Sequence, residues 1–369
     1  MKTPIERFYP LIPAGGVGSR LWPLSRATAP KFLLNLTGGE ESLLRSTYDR
    51  LTSLCNGPVM VVTGVAHANR VTQQLSELRA SDLVLEPSPR DSAAAIGLAC
   101  AIIFERDQDA IIGSFAADHV IEPVAEFHKV VTEAVNTAAT GKIVTIGITP
   151  TEPSTAFGYI KATESLHLED APNAMSVDEF VEKPDADTAS QYLATGDYTW
   201  NAGMFVAPAS LMLEHLKNNE PELYAGVTAI AKAWDTPERD EIMNNLWETL
   251  PKTAIDYAVA EPAAAAGAVA MVPGSFSWDD VGDFDAVARL NLEKTDDGLF
   301  VLGDEHQVLD QKSTGIVVSG TDRKIAVIGM DDVVVVDTPD ALLVTTRAQA
   351  QKVKSTVAEL KDQGLQELL

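Results

Sequence analysis

The sequence predicts an α/β protein: a Rossmann-like domain on a mixed, mainly parallel sheet, followed by a small β-rich domain. Three observations carry this. Strand-forming and helix-forming segments alternate from residue 8 to residue 148, the pattern of a sheet with crossover helices on both faces. After about residue 291 the segments become short, apolar and separated by glycine and aspartate turns. Between the two regimes lies a polar, turn-rich stretch containing Lys294, Thr295, Asp296, Asp297 and Gly298. The boundary is expected there, giving one domain over 1–292 and a β-rich domain over 293–369 that ends in a helix.

The elements follow in order. Residues 8–14 form the first strand. Pro10 and Pro13 each remove a ladder donor, which puts Pro13 at the strand's end and Pro10 at an early, unpaired position. A helix over 43–54, a strand over 59–63, a helix over 65–79 and a short strand over 83–86 come next. Asp91 or Ser92 can cap a helix running through 93–105. A buried strand over 110–115, a helix over 124–139 and a strand over 142–148 complete the alternation. Residues 157–163 and 177–182 read as strands. Residues 185–194, 208–217, 222–234 and 238–250 read as helices. The alanine run at 263–266 is a helix end or packed connector. In the tail, 307–309, 315–318, 324–328, 333–337 and 341–344 read as strands and 348–360 as an amphipathic helix.

Composition narrows the function. The 369 residues are 46% hydrophobic, enough for a sizeable core and too many for a disordered chain. The two cysteines, Cys55 and Cys100, sit among apolar neighbours and allow neither a disulfide framework nor a cysteine metal site, so a reducing compartment fits. No stretch reads as a signal peptide or a membrane span, and a cytoplasmic protein is expected. The formal net charge of -25 argues against nucleic-acid partners and against an anionic membrane surface.

Against that acidity, residues 14–31 stand out: AGGVGSRLWPLSRATAPK. Ala14 ends the first strand. Gly15, Gly16, Gly18 and Ser19 form a turn whose amides can approach phosphate oxygens with no side chain in the way. Arg20 and Lys31 then supply fixed positive charge for phosphoryl chemistry. The run is not a dinucleotide fingerprint, because Leu21 stands at the third glycine position, and it lacks the Gly-Lys-Ser/Thr of a Walker loop.

Two acidic positions follow apolar strands. Asp118, in FAADHV, lies where strands of such a sheet meet ligands and can hold Mg²⁺ through oxygen; a turn or cap is the alternative. Asp279 and Asp280, in WDDVG, form the second. One acid from each would leave the ion mostly hydrated and open to phosphates. Glu182 and Lys183, in FVEKP, read either as sugar-phosphate contacts or as a charged strand end. Asn201 and Gly203, in WNAGMF, suit a vicinal diol or a tight turn, with Trp200 and Phe205 in the core.

The glycine phrase with its cations and prolines resembles the signature loop of the sugar-1-phosphate nucleotidylyltransferases, and Trp22-Pro23-Leu24-Ser25-Arg26 resembles the mannose-1-phosphate guanylyltransferase branch. The likeness continues through FGYI at 157–160, EPSPRDSA at 86–93, AIDYA at 254–258, IGMDDV at 328–333 and DTPDA at 337–341, nearly the whole chain. It implies Mg²⁺ on Asp118 and Asp280, with Asp279 left to a turn. It implies sugar contacts from Gly158, Glu182 and Asn201, and charge at the reacting phosphates from Arg20, Lys31 and Lys183. It places Glu86, Arg90 and Ser92 in the base-recognition loop, although Asp91-Ser92 stands where the family often has Asn-Thr. The implied reaction joins GTP and α-D-mannose 1-phosphate into GDP-mannose and pyrophosphate, by Mg²⁺-assisted in-line attack on the α-phosphorus. Other bases or sugar 1-phosphates, and a non-catalytic sugar-nucleotide binder, are the alternatives; both acids and both signature cations count against the binder. The tail is a candidate homodimer surface. The family's longer bifunctional members add a phosphomannose isomerase domain, for which this chain has no room.

Overall fold

The computed structural model describes residues 3–55, 57–292, 295 and 298–369. The chain forms two compact units that interleave along the sequence. One takes residues 1–14, 47–117 and 121–278; the other takes 15–46, 118–120 and 279–369. Lys294, Asp296 and Asp297, on which the expected boundary rests, lie outside the described residues.

The first unit is built on strands β1 (Phe8–Ala14), β2 (Met60–Gly64), β3 (Leu83–Glu86) and β4 (Ile111–Ser114). The chain crosses between units in β5 (Val120–Glu122) and again in β11 (Ser277–Asp279). Between them come β6 (Ile143–Ile148), β7 (Tyr159–Ser165), β8 (Met175–Val181), β9 (Tyr198–Pro208) and β10 (Val269–Pro273). Nine strands form one sheet in the order β3-β2-β1-β4-β9-β6-β10-β8-β7. The β1–β2, β2–β3, β1–β4 and β6–β10 pairs are parallel. Only β8 and β9 run against the other seven strands, so the sheet is mixed and mainly of one direction, as the sequence predicts.

Register explains both prolines. Strand β1 pairs with β4 through Phe8–Leu11 and with β2 through Leu11–Ala14. Pro10 is therefore flanked by β4 alone and Pro13 by β2 alone, so neither has to serve two ladders. Strand β9, absent from the sequence reading, is buried on both faces and shows no alternation. Its Gly203 has φ +67, a conformation that breaks strand pattern and read as a turn.

Helix α1 spans Leu43–Thr52 and α2 spans Ala68–Gln74, shorter than expected; α3 spans Asp91–Arg106 and α4 spans Val124–Ala138. Residues 93–103 of α3 are buried all round, because α6 (Ala209–Asn219) and α7 (Pro221–Ala233), which follow α5 (Ala186–Thr195), cover the side that the sheet does not. Neither Asp91 nor Ser92 caps α3: the cap position is Arg90, without a side-chain bond, and Ser92 Oγ accepts from the Ile255 amide instead, at 2.9 Å. Further helices are α8 (Arg239–Leu246) and α9 (Glu261–Ala265).

The second unit holds α10 (Phe284–Leu292), β12 (Leu299–Gly303), β13 (Val308–Gln311), β14 (Gly315–Ser319), β15 (Ile325–Ile328), β16 (Val333–Asp337), β17 (Leu342–Thr346) and α11 (Val353–Asp362). Strands β12, β14 and β16 stack in parallel, β17 closes them antiparallel, and β13 pairs β15 in parallel. Leu299, Val317, Val327, Val333 and Val335 form one core. The alternate residues Ile316, Val318, Val334 and Val336 pack with Leu21, Leu36, Phe284 and Val287. Burial on both faces accounts for the unbroken apolar runs such as VVVV at 333–336. The segment after the glycine turn is thus part of the same core as the β-rich tail.

Candidate active site

The glycine turn opens the second unit. Gly16 has φ +81 and Gly18 φ +76. A Cβ on Gly18 would stand 2.8 Å from Lys31 Cβ, so the turn closes on the lysine stem only because residue 18 has no side chain. Three bonds fix this approach. The Lys31 amide donates to Val17 O at 3.2 Å and the Leu21 amide to Gly18 O at 2.9 Å. Ser25 Oγ donates to the same Gly18 carbonyl at 2.5 Å. Residues 15–17 are exposed, and a Cβ on Gly15 or Gly16 would meet nothing within 4 Å; the space above these amides is open.

Lys31 is 9% exposed. Its Nζ stands 2.7 Å from Asp118 Oδ2 and donates to the Asp280 carbonyl at 2.6 Å. One lysine thereby contacts both residues singled out in the sequence, Asp118 at its carboxylate and Asp280 at its backbone carbonyl. Burial opposes ionisation of Asp118, but Lys31 and then His119 outweigh it and hold its carboxyl below the usual range. Asp280 goes the other way. Burial, joined by Asp279, Asp118 and Asp283 and opposed by Lys31, pushes it up to about 6. Its carboxylate oxygens have no partner among the described residues, and Gly282 leaves space beside them. Asp279 is occupied: it accepts from the Val281 amide at 2.7 Å and pairs with Arg289 at 2.9 Å, the turn role expected of it. Arg20, half-buried in the 3₁₀ turn Ser19–Leu21, has no hydrogen bond or ion pair among the described residues.

Among the described residues no group of three or more histidines, cysteines and acids is gathered for a metal. Asp118 and Asp280, each in contact with Lys31 and close enough for their charges to repel, with the Asp280 carboxylate unpartnered among the described residues, fit a hard divalent cation that takes its remaining oxygens from water and phosphate.

The first unit carries two other groups. In one, Glu182 pairs with Lys183, and the Glu182 amide donates to Glu261 Oε1 at 3.2 Å. A Cβ on Gly158 would lie 2.6 Å from Glu182 Oε2, so glycine is required for the carboxylate to lie flat on the backbone there. Asn201 is buried and tightly used. Its Oδ1 accepts from Thr145 Oγ1 at 2.8 Å and from the Gly203 amide at 3.1 Å, and its Nδ2 donates to Asp256 Oδ1 at 3.2 Å. Burial, with Glu182 and Glu261 adding to it against Lys183, pushes Asp256 up to about 6. Burial alone would lower Lys183; its bond to Glu182 and the charges of Glu182 and Asp256 raise it. Asp256 and Glu261 have no role in the sequence reading. The AIDYA phrase marks Asp256 in sequence, but its partners come from segments 55 and 74 residues away. Tyr159 is fully buried and donates to Ser154 O at 3.0 Å; it packs.

The other group is the loop after β3. Arg90 donates to Glu248 O at 2.6 Å and Leu250 O at 3.2 Å and pairs with the Glu248 carboxylate. Ser88 Oγ donates to Glu248 Oε1 at 2.6 Å. Arg90 and Ser92 therefore tie the loop to residues 248–255. Glu86 differs: it is buried, its Oε1 has no partner among the described residues, and burial pushes it up to about 7.

Residues 9–297 match the model of the nucleotidyl transferase family, and residues 304–360 match a mannose-phosphate isomerase/GMP-like β-helix domain. Xanthan biosynthesis protein XanB of Xanthomonas campestris is 39% identical over 97% of this chain and 74% of its own length. A mannose-1-phosphate guanylyltransferase of Escherichia coli is 36% identical over 98% of this chain and 75% of its own. Among solved structures, a Thermus thermophilus protein described as a mannose-1-phosphate geranyltransferase superposes with a TM-score of 0.83 at 29% identity, over 96% of this chain and 99% of that one.

Proposed function

The chain belongs to the nucleotidyl transferase family, and we propose that it transfers GMP from GTP to α-D-mannose 1-phosphate, giving GDP-mannose and pyrophosphate. The observation that carries the chemistry is Lys31 standing between Asp118 and Asp280 beneath an open glycine turn. That arrangement serves a polyphosphate: amides for its oxygens, cations for its charge, carboxylates for an ion.

The roles are assigned residue by residue. Gly15, Gly16, Gly18 and Ser19, following Ala14, present amides to the triphosphate. Arg20, without a hydrogen bond or ion pair among the described residues, stabilises charge on the leaving pyrophosphate. Lys31 offsets charge near the α-phosphate. Asp118 and Asp280 would hold Mg²⁺, which when bound neutralises and polarises phosphate oxygens. Glu182 accepts from sugar hydroxyls, with Gly158 giving it room. Asn201 offers its remaining amide hydrogen to the sugar, and Lys183 is a point charge for the sugar phosphate. Glu86 reads the base, because its Oε1, without a partner among the described residues, suits one of guanine's N–H donors, and Arg90 and Ser92 shape its loop. The attacking phosphate oxygen is ionised at neutral pH, so no strong base is needed; positioning and electrostatics supply the catalysis.

Catalysis is assigned to 1–292, with 293–369 as the β-rich partner domain. Cys55 and Cys100 are free and buried, which supports a cytosolic location. No helix of the described residues is long and apolar enough to cross a membrane. Leu309, Ile328, Leu342 and Val344 are exposed in the tail, which supports homodimerisation there.

The test is pyrophosphate release with Mg²⁺ across a panel of nucleoside triphosphates and sugar 1-phosphates. GTP with mannose 1-phosphate should give the highest kcat/KM; a higher value for another pair overturns the substrate assignment and leaves the reaction class.

A further inference from the structure

The WPLSR phrase after the glycine turn has no partner in the chemistry above, yet it is among the most heavily bonded segments of the second unit. Trp22 is 7% exposed, and its indole Nε1 donates to Leu368 O at 2.7 Å. Arg26 Nη1 donates to that same carbonyl at 2.5 Å, its Nε to Pro23 O at 2.7 Å, and its Nη2 pairs with Asp340 at 2.8 Å. The Ala27 amide approaches Leu369 O at 3.4 Å. The guanidinium also lies over the Trp22 ring, 5.7 Å from its centroid. Two donors from the WPLSR segment thus converge on one carbonyl of the 3₁₀ turn Gln366–Leu368.

We propose that residues 366–369 are a latch that holds the phosphate-binding turn in its working shape, with Trp22 and Arg26 as positioning residues. The path is short and runs through hydrogen bonds, the chain itself and one close packing contact. Trp22 and Arg26 are fixed from one side by the tail. Between them Ser25 bonds back to Gly18 O at 2.5 Å, and the Ser25 amide bonds to Leu21 O at 2.9 Å. Gly18 in turn sets the approach to Lys31 and the start of the turn bearing Arg20. A half-buried guanidinium whose three nitrogens each meet a different acceptor is a rigid support, not a solvated surface charge. Rigid support of this kind is what keeps amides and cations aimed at a developing charge. The inference rests on the reading of the glycine turn as the triphosphate site.

Two variants test it: Trp22→Phe, which keeps the packing and removes one donor, and a chain stopped after Gly364. Hydrogen exchange reads the latch without substrate, and steady-state kinetics read its effect. Amides in 15–21 should exchange several-fold faster in both variants, while those of β14 and β16 stay protected. In the truncated chain kcat should fall about tenfold with KM for mannose 1-phosphate unchanged, and less in Trp22→Phe. Unchanged exchange at 15–21 in both variants overturns the latch. So does faster exchange spread evenly over β14 and β16, which would make the tail a general stabiliser. Faster exchange at 15–21 with normal kcat keeps the latch and removes the triphosphate reading of the turn.

Discussion

The Lys31 amine stands 2.7 Å from Asp118, so a cation of the protein itself occupies the carboxylate assigned to the metal. Lys31 therefore offsets the charge of Asp118, and an incoming divalent ion must compete with it. Lys31→Met should tighten Mn²⁺ binding in the absence of nucleotide, as read by calorimetry, and lower kcat by roughly two or more orders of magnitude, since a charge near the transferring group is worth several kcal/mol. Metal affinity no tighter than in the parent protein would show that Lys31 does not screen Asp118.

Among the described residues the Asp280 carboxylate has no hydrogen-bond or ion-pair partner, whereas that of Asp279 has the Val281 amide and Arg289. Asp280→Asn should cost roughly a hundredfold or more in turnover with the melting temperature preserved. Asp279→Asn should act mainly on stability, because it releases Arg289 and the Val281 amide. The reverse ranking in parallel assays would exchange their roles.

Arg20 is half-buried with no hydrogen bond or ion pair among the described residues, whereas Lys31 is held. Arg20→Ala should lower kcat more than it weakens GTP binding. An effect limited to the GTP dissociation constant would place Arg20 in ground-state binding alone.

Glu86 gives a pH signature. Its carboxyl is pushed up to about 7 by burial, so the folded state holds a proton that the unfolded chain releases near its ordinary value. The resulting stability is fully present below that ordinary value and is lost as pH rises through about 7. Glu86→Gln should remove this dependence: its melting temperature should exceed the parent's at pH 8 and match it near pH 4.5. Parallel melting curves for the two proteins across that range would show that Glu86 ionises without cost.

Much of this was legible in the sequence because it depends on local pattern. Alternation marked the sheet, and the glycine phrase marked the turn that carries Arg20 and closes on Lys31. Asp118 and Asp280 lay in the segments that follow β4 and β11. What was not legible depends on pairing across the chain. Strand β9 was hidden because it is buried on both faces and broken by Gly203. Asp256 and Glu261 meet Glu182 only through folding, and no local feature announces it. Arg90 and Ser92 looked like ligand contacts; in the fold they bond to residues 248–255. The packing of residues 21–43 with the β-rich tail was also out of reach, because contiguous segments suggest contiguous domains.

The glycines of the turn separate shape from access. Gly18 has φ +76 and lies against Lys31 Cβ. Gly15 has no positive φ, and a Cβ there would meet only open space. Gly18→Ala must pay roughly 1–2 kcal/mol for the left-handed backbone alone, besides moving Lys31. Its melting temperature should drop by several degrees, and its kcat should fall because Lys31 shifts. Gly15→Ala places a methyl group where phosphate is expected and nowhere else. It should leave the melting temperature unchanged and raise KM for GTP about tenfold or more, with KM for mannose 1-phosphate held. Differential scanning fluorimetry and two-substrate kinetics on the pair decide the matter. A Gly15→Ala protein with parental GTP kinetics would mean that the triphosphate does not lie over this turn.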